Sequence, residues 1–190
     1  MEFKPEYKIS NKILVSVAKS EVAKEIIENS PLVPMWERKF QGQALVRSVH
    51  HSTALEGNEL TIDDTERIIG GEHVDSYRLR DIQEIINYRD VIGFISGNKD
   101  TELTISFLLG MHKILGKKIL SDEYLGRFRN KNAVIVNDQN LDVVFDPPKY
   151  NEIEPEAEAL IEWDKISGPE VHPLLRAGII HYEIVRIHPF

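Results

Sequence analysis

Apolar residues recur at helical spacing along most of this chain, and one stretch breaks the rhythm. Ile13, Leu14, Val17, Val22 and Ile26 follow a helical period within residues 10–29, which predicts an amphipathic helix there. Further helices are expected over residues 35–55, from Thr61, over 76–95, 104–115, 155–165 and 173–187. Ser30-Pro31 and Pro34 break the first helix, and Glu56-Gly57-Asn58 ends the second. Gly57 suits the left-handed residue that commonly closes a helix. Thr61-Ile62-Asp63-Asp64 sets an acid three residues after a capping hydroxyl, a weaker relative of the Glu capping box. Gly70-Gly71 closes that third helix, and Gly97-Asn98-Lys99-Asp100 reads as a turn.

The exception lies within residues 129–148. Ala133-Val134-Ile135-Val136 and Val143-Val144-Phe145 are β-prone runs on either side of Asn137-Asp138-Gln139-Asn140, and Pro147-Pro148 stops the second run. That pattern predicts one β-hairpin. The expected fold is therefore mainly α with one hairpin. Residues 1–35 read as an N-terminal helical extension, and residues 36–190 as the main domain.

Composition narrows the function. The chain has 190 residues and no cysteine, which excludes Cys-ligated zinc, iron–sulfur clusters and thiol nucleophiles. A domain of this size hides roughly 70% of its unfolded surface, so it needs no disulfide or metal to fold. The formal net charge of -8 disfavours nucleic acid and anionic membrane as partners of the bulk field. No run of 18 apolar residues suggests a membrane span. The start, MEFKPEYKISNK, lacks the apolar core of a signal peptide, so the expected compartment is cytoplasmic.

The last helix points to chemistry. Leu174, Gly178, His181, Val185 and His188 share one face by their spacing. His181 by itself reads as a core histidine bonded to a carbonyl. His188 precedes Pro189, and a residue before proline is pushed out of the α region. It therefore sits at the helix exit, where an imidazole can act as a base near neutral pH. His112, in mid helix, reads as packing. Glu56 by itself reads as a solvated carboxylate, and Arg127 and Arg129 as surface charges.

Taken together, several segments resemble Fic-domain proteins. His188-Pro189-Phe190 is similar to the start of their signature, His-Pro-Phe-x-Asp/Glu-Gly-Asn-Gly-Arg-x-x-Arg. Ser52-Thr53-Ala54-Leu55-Glu56-Gly57-Asn58 resembles their inhibitory-helix motif, Ser/Thr-x-x-x-Glu-Gly/Asn, with Ser52, Glu56 and Gly57 matching and Asn58 a common extension. Gly126-Arg127-Phe128-Arg129, the run from Ala133 to Ile135 and Pro147-Pro148 resemble the Gly-x-Tyr/Phe-Arg segment and the β-hairpin flap. His172-Pro173 leads the last helix into the signature. The resemblance covers about residues 35–190 and implies a Fic-type helical domain with its inhibitory helix ahead of the core.

The resemblance implies transfer of AMP from ATP to a Ser, Thr or Tyr hydroxyl of a target protein. His188 would be the general base. Glu56, steadied by Ser52, would be the inhibitor, pairing with the last arginine of the signature and blocking the ATP γ-phosphate. Ala133, Val134 and Ile135 would take up the target by strand addition, with Gly57, Asn58 and Arg129 in support. ATP and Mg²⁺ are the implied cofactors, but their binding residues are expected mostly after Phe190. No metal ligand is expected within this chain, and no tight binding of either. The chain as it stands reads as cut within the signature and is expected to be inactive. A non-catalytic Fic-like interaction module, AMP removal, and transfer of another phosphate-containing group stay open, as does a homodimer.

Overall fold

The computed structural model describes residues 3–31, 33–75, 78–137, 140 and 142–190. Its elements run α1 (Asn11–Glu28), α2 (Pro34–Leu55), α3 (Ile62–Ile69), α4 (Leu79–Gly97) and α5 (Ile105–Leu115), then β1 (Ile135–Val136) and β2 (Val143–Phe145). They end with α6 (Ile153–Ile166), a short 3₁₀ turn (Gly168–Glu170) and α7 (Pro173–Ile187). The fold is mainly α with a small two-stranded hairpin, as the periodicity predicts.

Local chemistry sets the helix starts. The Thr61 hydroxyl accepts from the Asp64 amide at 3.1 Å, and the Asp64 carboxylate accepts in return from the Thr61 amide at 3.3 Å. Two backbone donors that the helix would leave unpaired are thus satisfied reciprocally. Ser10 and Thr104 cap α1 and α5 from one side only, accepting from the Ile13 and Phe107 amides. Pro34 is the first residue of α2, so it opens that helix and does not break the one before. Its missing N–H costs nothing at that position. The expected helix start at Ser76 lies outside the described residues, and α4 takes Arg78 as its N-cap.

α2, α3 and α4 pack around Val49, Ile68, Val74 and Ile85, with Leu45, Leu60 and Ile92 at the edge. A second cluster joins Ile153, Leu160 and Trp163 of α6 to Ile187 of α7, flanked by Phe3, Phe128 and Ile184. Each such side chain contributes about 1.5–3 kcal/mol on burial. Between the clusters, the Asn87 amide of α4 donates to the carbonyls of Leu115 and Lys117 at 2.8 and 2.7 Å, which fixes the exit of α5. The N-terminal stretch touches the second cluster through Phe3, whose ring meets Trp163 edge-on at 5.6 Å.

The hairpin is shorter than its β-prone runs. β1 pairs antiparallel with β2, Ile135 opposite Phe145 and Val136 opposite Val143, with an irregular register between them. Ala133 and Val134 fall outside the strand. The segment ahead of Ile135 has other partners: the Lys131 carbonyl accepts from Arg129, and the Asn132 side chain accepts from the Tyr150 amide. Asp138 and Gln139 of the expected loop lie outside the described residues.

Candidate functional site

α7 carries the site to the end of its last turn. Its buried stripe runs through Ile180 and Ile184 to Ile187, which is 1% exposed. The stripe through Leu174, Gly178, His181 and Val185 is the outward one, so His181 is a surface residue and no core histidine. α7 has apolar residues on both faces, and spacing alone did not say which face packs on α6.

His188 leaves the helix by a turn the proline rule does not give. It adopts φ 47° and ψ 61°, the left-handed region, while its amide still donates to the Ile184 carbonyl at 3.0 Å. His188 is at the helix exit, as expected, but the rule does not choose the left-handed region. A left-handed residue is unfavourable for an L side chain by about 1–2 kcal/mol, so its surroundings must hold it there. Arg129 makes those contacts. Its Nε donates to the His188 carbonyl at 2.7 Å, and its amide donates to the Pro189 carbonyl at 2.8 Å. The same guanidinium reaches the Ile187 carbonyl at 3.5 Å and the Pro148 carbonyl, at the foot of β2, at 2.5 Å. One cation therefore ties the negative end of α7 to the base of the hairpin.

The segment before Arg129 is placed by Gly126. This residue has φ 64°, and a Cβ there would come within 3.2 Å of the Leu109 carbonyl oxygen and of Lys113 Cβ on α5. Only glycine allows both the turn and the approach. Phe128 then turns inward and Arg127 outward. The Phe190 ring stacks on the His112 imidazole of α5, with centroids 3.9 Å apart and planes 15° from parallel, and lies 5.9 Å from Phe128. Burial pushes the His112 pKa below its ordinary value, and its Nδ1 is buried without a hydrogen-bond partner.

An open groove of about 650 Å³ runs beneath the hairpin, lined by Ala133, Val134, Phe145, Pro148, Glu156 and Arg186. Val134 is 55% exposed and Ile135 is half-buried. Arg186 is gripped by Glu183 at 2.7 Å and by Glu156. Burial by itself would lower the Arg186 pKa, but the hydrogen bonds to Glu183 and Glu156 outweigh it and leave the value raised. Sequence reasoning passed over this trio. The Glu183–Arg186 half was visible as a pair three residues apart on one helix. The Glu156 half spans 30 residues and had no local signal.

Glu56 sits on a turn held by α2 and α4. Gly57 has φ 89° and donates to the Ala54 carbonyl, while Asn58 donates to the Thr53 carbonyl. This is a Schellman closure of α2. Asn58 is buried, and its side-chain amide donates to the Asp81 carbonyl at 2.9 Å and to Glu84 at 3.2 Å. The turn is thereby pinned to α4. Among the described residues the Glu56 carboxylate is exposed and has no hydrogen bond or ion pair. Ser52 is half-buried, and Thr53 beside it makes the hydrogen bonds back into α2. No hydrogen bond or ion pair joins Glu56 or Ser52 to His188 among those residues. The structure thus brings together His188, Arg129 and the hairpin foot, and holds Glu56 by a separate anchor. Among the described residues, no group of three or more His, Asp or Glu is arranged to hold a metal ion, and no helix is long and apolar enough to cross a membrane.

A helical domain with a hairpin beside a left-handed histidine at a helix end is the architecture these observations define. Residues 102–190 match the model of the Fic/DOC family. The chain is 27% identical over 154 residues to the protein adenylyltransferase Fic of Nematostella vectensis, covering 78% of this chain and 34% of that protein. A crystal structure of a Fic family protein from Desulfovibrio desulfuricans superposes with a TM-score of 0.78 at 25% identity, over 99% of this chain and 55% of that one. A Fic domain containing signaling protein from Bacteroides thetaiotaomicron shares the fold with a TM-score of 0.75 at 23% identity, over 94% of this chain and 65% of that one. The chain is homologous to known Fic domains. It spans about a third of the length of the curated relative it matches.

Proposed function

We propose that this protein is a nucleotidyltransferase that moves AMP from ATP to a Ser, Thr or Tyr hydroxyl of a target protein, with His188 as general base and Glu56 as built-in inhibitor. The observation that carries it is the left-handed His188 held through its own carbonyl by Arg129. A base must be held in fixed geometry to be effective, and strained backbone persists only where the surroundings enforce it.

In this reading His188 removes the hydroxyl proton as the oxygen attacks the α-phosphorus. The bond to the β-phosphate oxygen breaks and pyrophosphate leaves. The hairpin presents a strand edge to the target, and backbone pairing there tolerates many sequences. The Glu56 carboxylate, held on the turn that Asn58 anchors, competes as an anion for a cationic site meant for phosphate.

The family implies Mg²⁺ on the nucleotide phosphates. Among the described residues no group of three or more His, Asp or Glu is arranged for a metal ion, and no step is drawn through Mg²⁺. Residues 1–190 by themselves are expected neither to transfer AMP nor to bind Mg²⁺-ATP tightly.

The test supplies labelled ATP, Mg²⁺ and a cell extract to a chain carrying the whole signature. Labelled protein is expected, more of it with Glu56→Gly and none with His188→Ala. Absence of any nucleotide transfer by both the parent and Glu56→Gly would sink the reading. Release of AMP from a premodified target would redirect it to removal.

A further inference from the structure

We propose that His112 is a positioning residue: its ring is the plate on which Phe190 rests, and through Phe190 it sets the aim of His188. The inference rests on the reading of His188 as the base.

Arg129 fixes the carbonyls of residues 187–189 but leaves the next side chain to be held by other means. Phe190 is 38% exposed, so burial by itself secures it poorly. Its hold comes from two rings, His112 at 3.9 Å and nearly parallel, and Phe128 at 5.9 Å. Aromatic pairs in contact contribute about 0.5–1.5 kcal/mol beyond the area they bury. Phe190 stands two residues from His188, with Pro189 between them fixing one dihedral. With that dihedral fixed, a displacement of the Phe190 backbone is passed to the Pro189 and His188 peptide units.

The position of His112 suits a plate and nothing more reactive. It lies in the last turn of α5 and not in mid helix, where Gly126 closes against the neighbouring Lys113. The helix, the 126–129 segment and the chain at Phe190 meet at this point. The His112 Nδ1 is shut away from solvent with no partner, so that nitrogen faces no substrate. No cluster of ligating side chains surrounds it among the described residues. A ring with one unpaired buried nitrogen is a costly way to fill space, and its flat face against Phe190 is the contact it makes.

The test compares His112→Ala, His112→Phe and Phe190→Ala. In the 190-residue chain, the imidazole NMR signals of His188 and the exchange rate of the Arg129 Nε–H report on geometry without any activity. His112→Ala and Phe190→Ala should both move the His188 signals and speed Arg129 Nε–H exchange about tenfold, and His112→Phe should restore both. In a chain carrying the whole signature, kcat should fall on the order of tenfold to 100-fold in His112→Ala, with KM for ATP little changed, and recover in His112→Phe. Unmoved His188 signals in both alanine variants would overturn the proposal, as would a phenylalanine variant as impaired as alanine. If His112→Ala does not fold, Phe190→Ala and His112→Phe decide the matter. If the His188 signals respond as expected while the parent transfers nothing, the positioning role stands and the transferase reading falls.

Discussion

The Arg129 Nε donates to the backbone carbonyl of His188 at 2.7 Å, across 59 residues of sequence. This contact joins the 126–129 segment to the end of α7. The same guanidinium also reaches Pro148, so the left-handed corner and the foot of the hairpin share one support.

Removing that support should be costly. Hydrogen bonds from a charged group contribute about 1.5–3 kcal/mol, and Arg129→Met leaves several carbonyls without a donor. Urea unfolding should show a loss of about 2–3 kcal/mol. Arg129→Lys should recover only part of it, because an ammonium lacks the planar fork. A change within about 0.5 kcal/mol for Arg129→Met would show that solvent substitutes freely at this corner.

Glu56 and Gly57 should separate regulation from stability. Glu56 is exposed and unpaired among the described residues, so Glu56→Gly should change stability by less than about 0.5 kcal/mol while raising transfer. Gly57→Ala should cost about 1–2 kcal/mol, because φ 89° is hostile to a side chain. Thermal melts of both variants beside a transfer assay check the pair. An equal loss of stability in both would mean that the Glu56 side chain holds the turn.

The His188 backbone predicts a trade between function and stability. His188→Gly removes left-handed strain of about 1–2 kcal/mol and adds about 0.5–1 kcal/mol of unfolded-state freedom. The folded state should be unharmed or slightly stabilised, while transfer is lost. His188→Val should lose both. Denaturation midpoints of the two variants test this, and a strongly destabilised glycine variant would contradict it.

The pH dependence has a defined sign. Burial holds the His112 pKa below its ordinary value, so the unfolded chain takes up this proton first. The His112 contribution is complete above the ordinary value near 6.5, and it is lost as pH falls below that toward the folded value. Between about pH 7 and pH 5 the parent should lose more stability than His112→Phe, which has nothing to titrate there. Equal slopes for the two proteins would mean that the burial penalty is negligible.

Local signals in the sequence were legible. The Thr61 cap, the Gly57 closure and the run of helices follow from chemistry within a few residues. Failures came where partners are distant or a choice is symmetric. The outward face of His181 depended on which of two apolar stripes met α6. The strand stopped short of Ala133 and Val134, where Arg129 engages the Lys131 carbonyl and the Tyr150 amide engages the Asn132 side chain just before them. The exit of His188 before Pro189 was legible, but its left-handed region was not, since Arg129 and Ile184 hold it through contacts with distant or preceding residues. The motif resemblance named His188 and Arg129 but gave no hint of the His112 ring.

The two apolar clusters also bear on the order of assembly. The cluster around Val49, Ile68, Val74 and Ile85 draws all its members from residues 45–92, so it closes through short loops. The cluster around Ile187 needs Phe3 and α6 as well, which are far apart along the chain. Short-range contacts form first as a rule. The turn bearing Glu56 belongs with the early cluster and the corner bearing His188 with the late one. Pulse-labelled amide exchange during refolding should protect α2 and α4 before α7. A newly made molecule would then hold the turn that bears Glu56 before it has built the corner that bears His188.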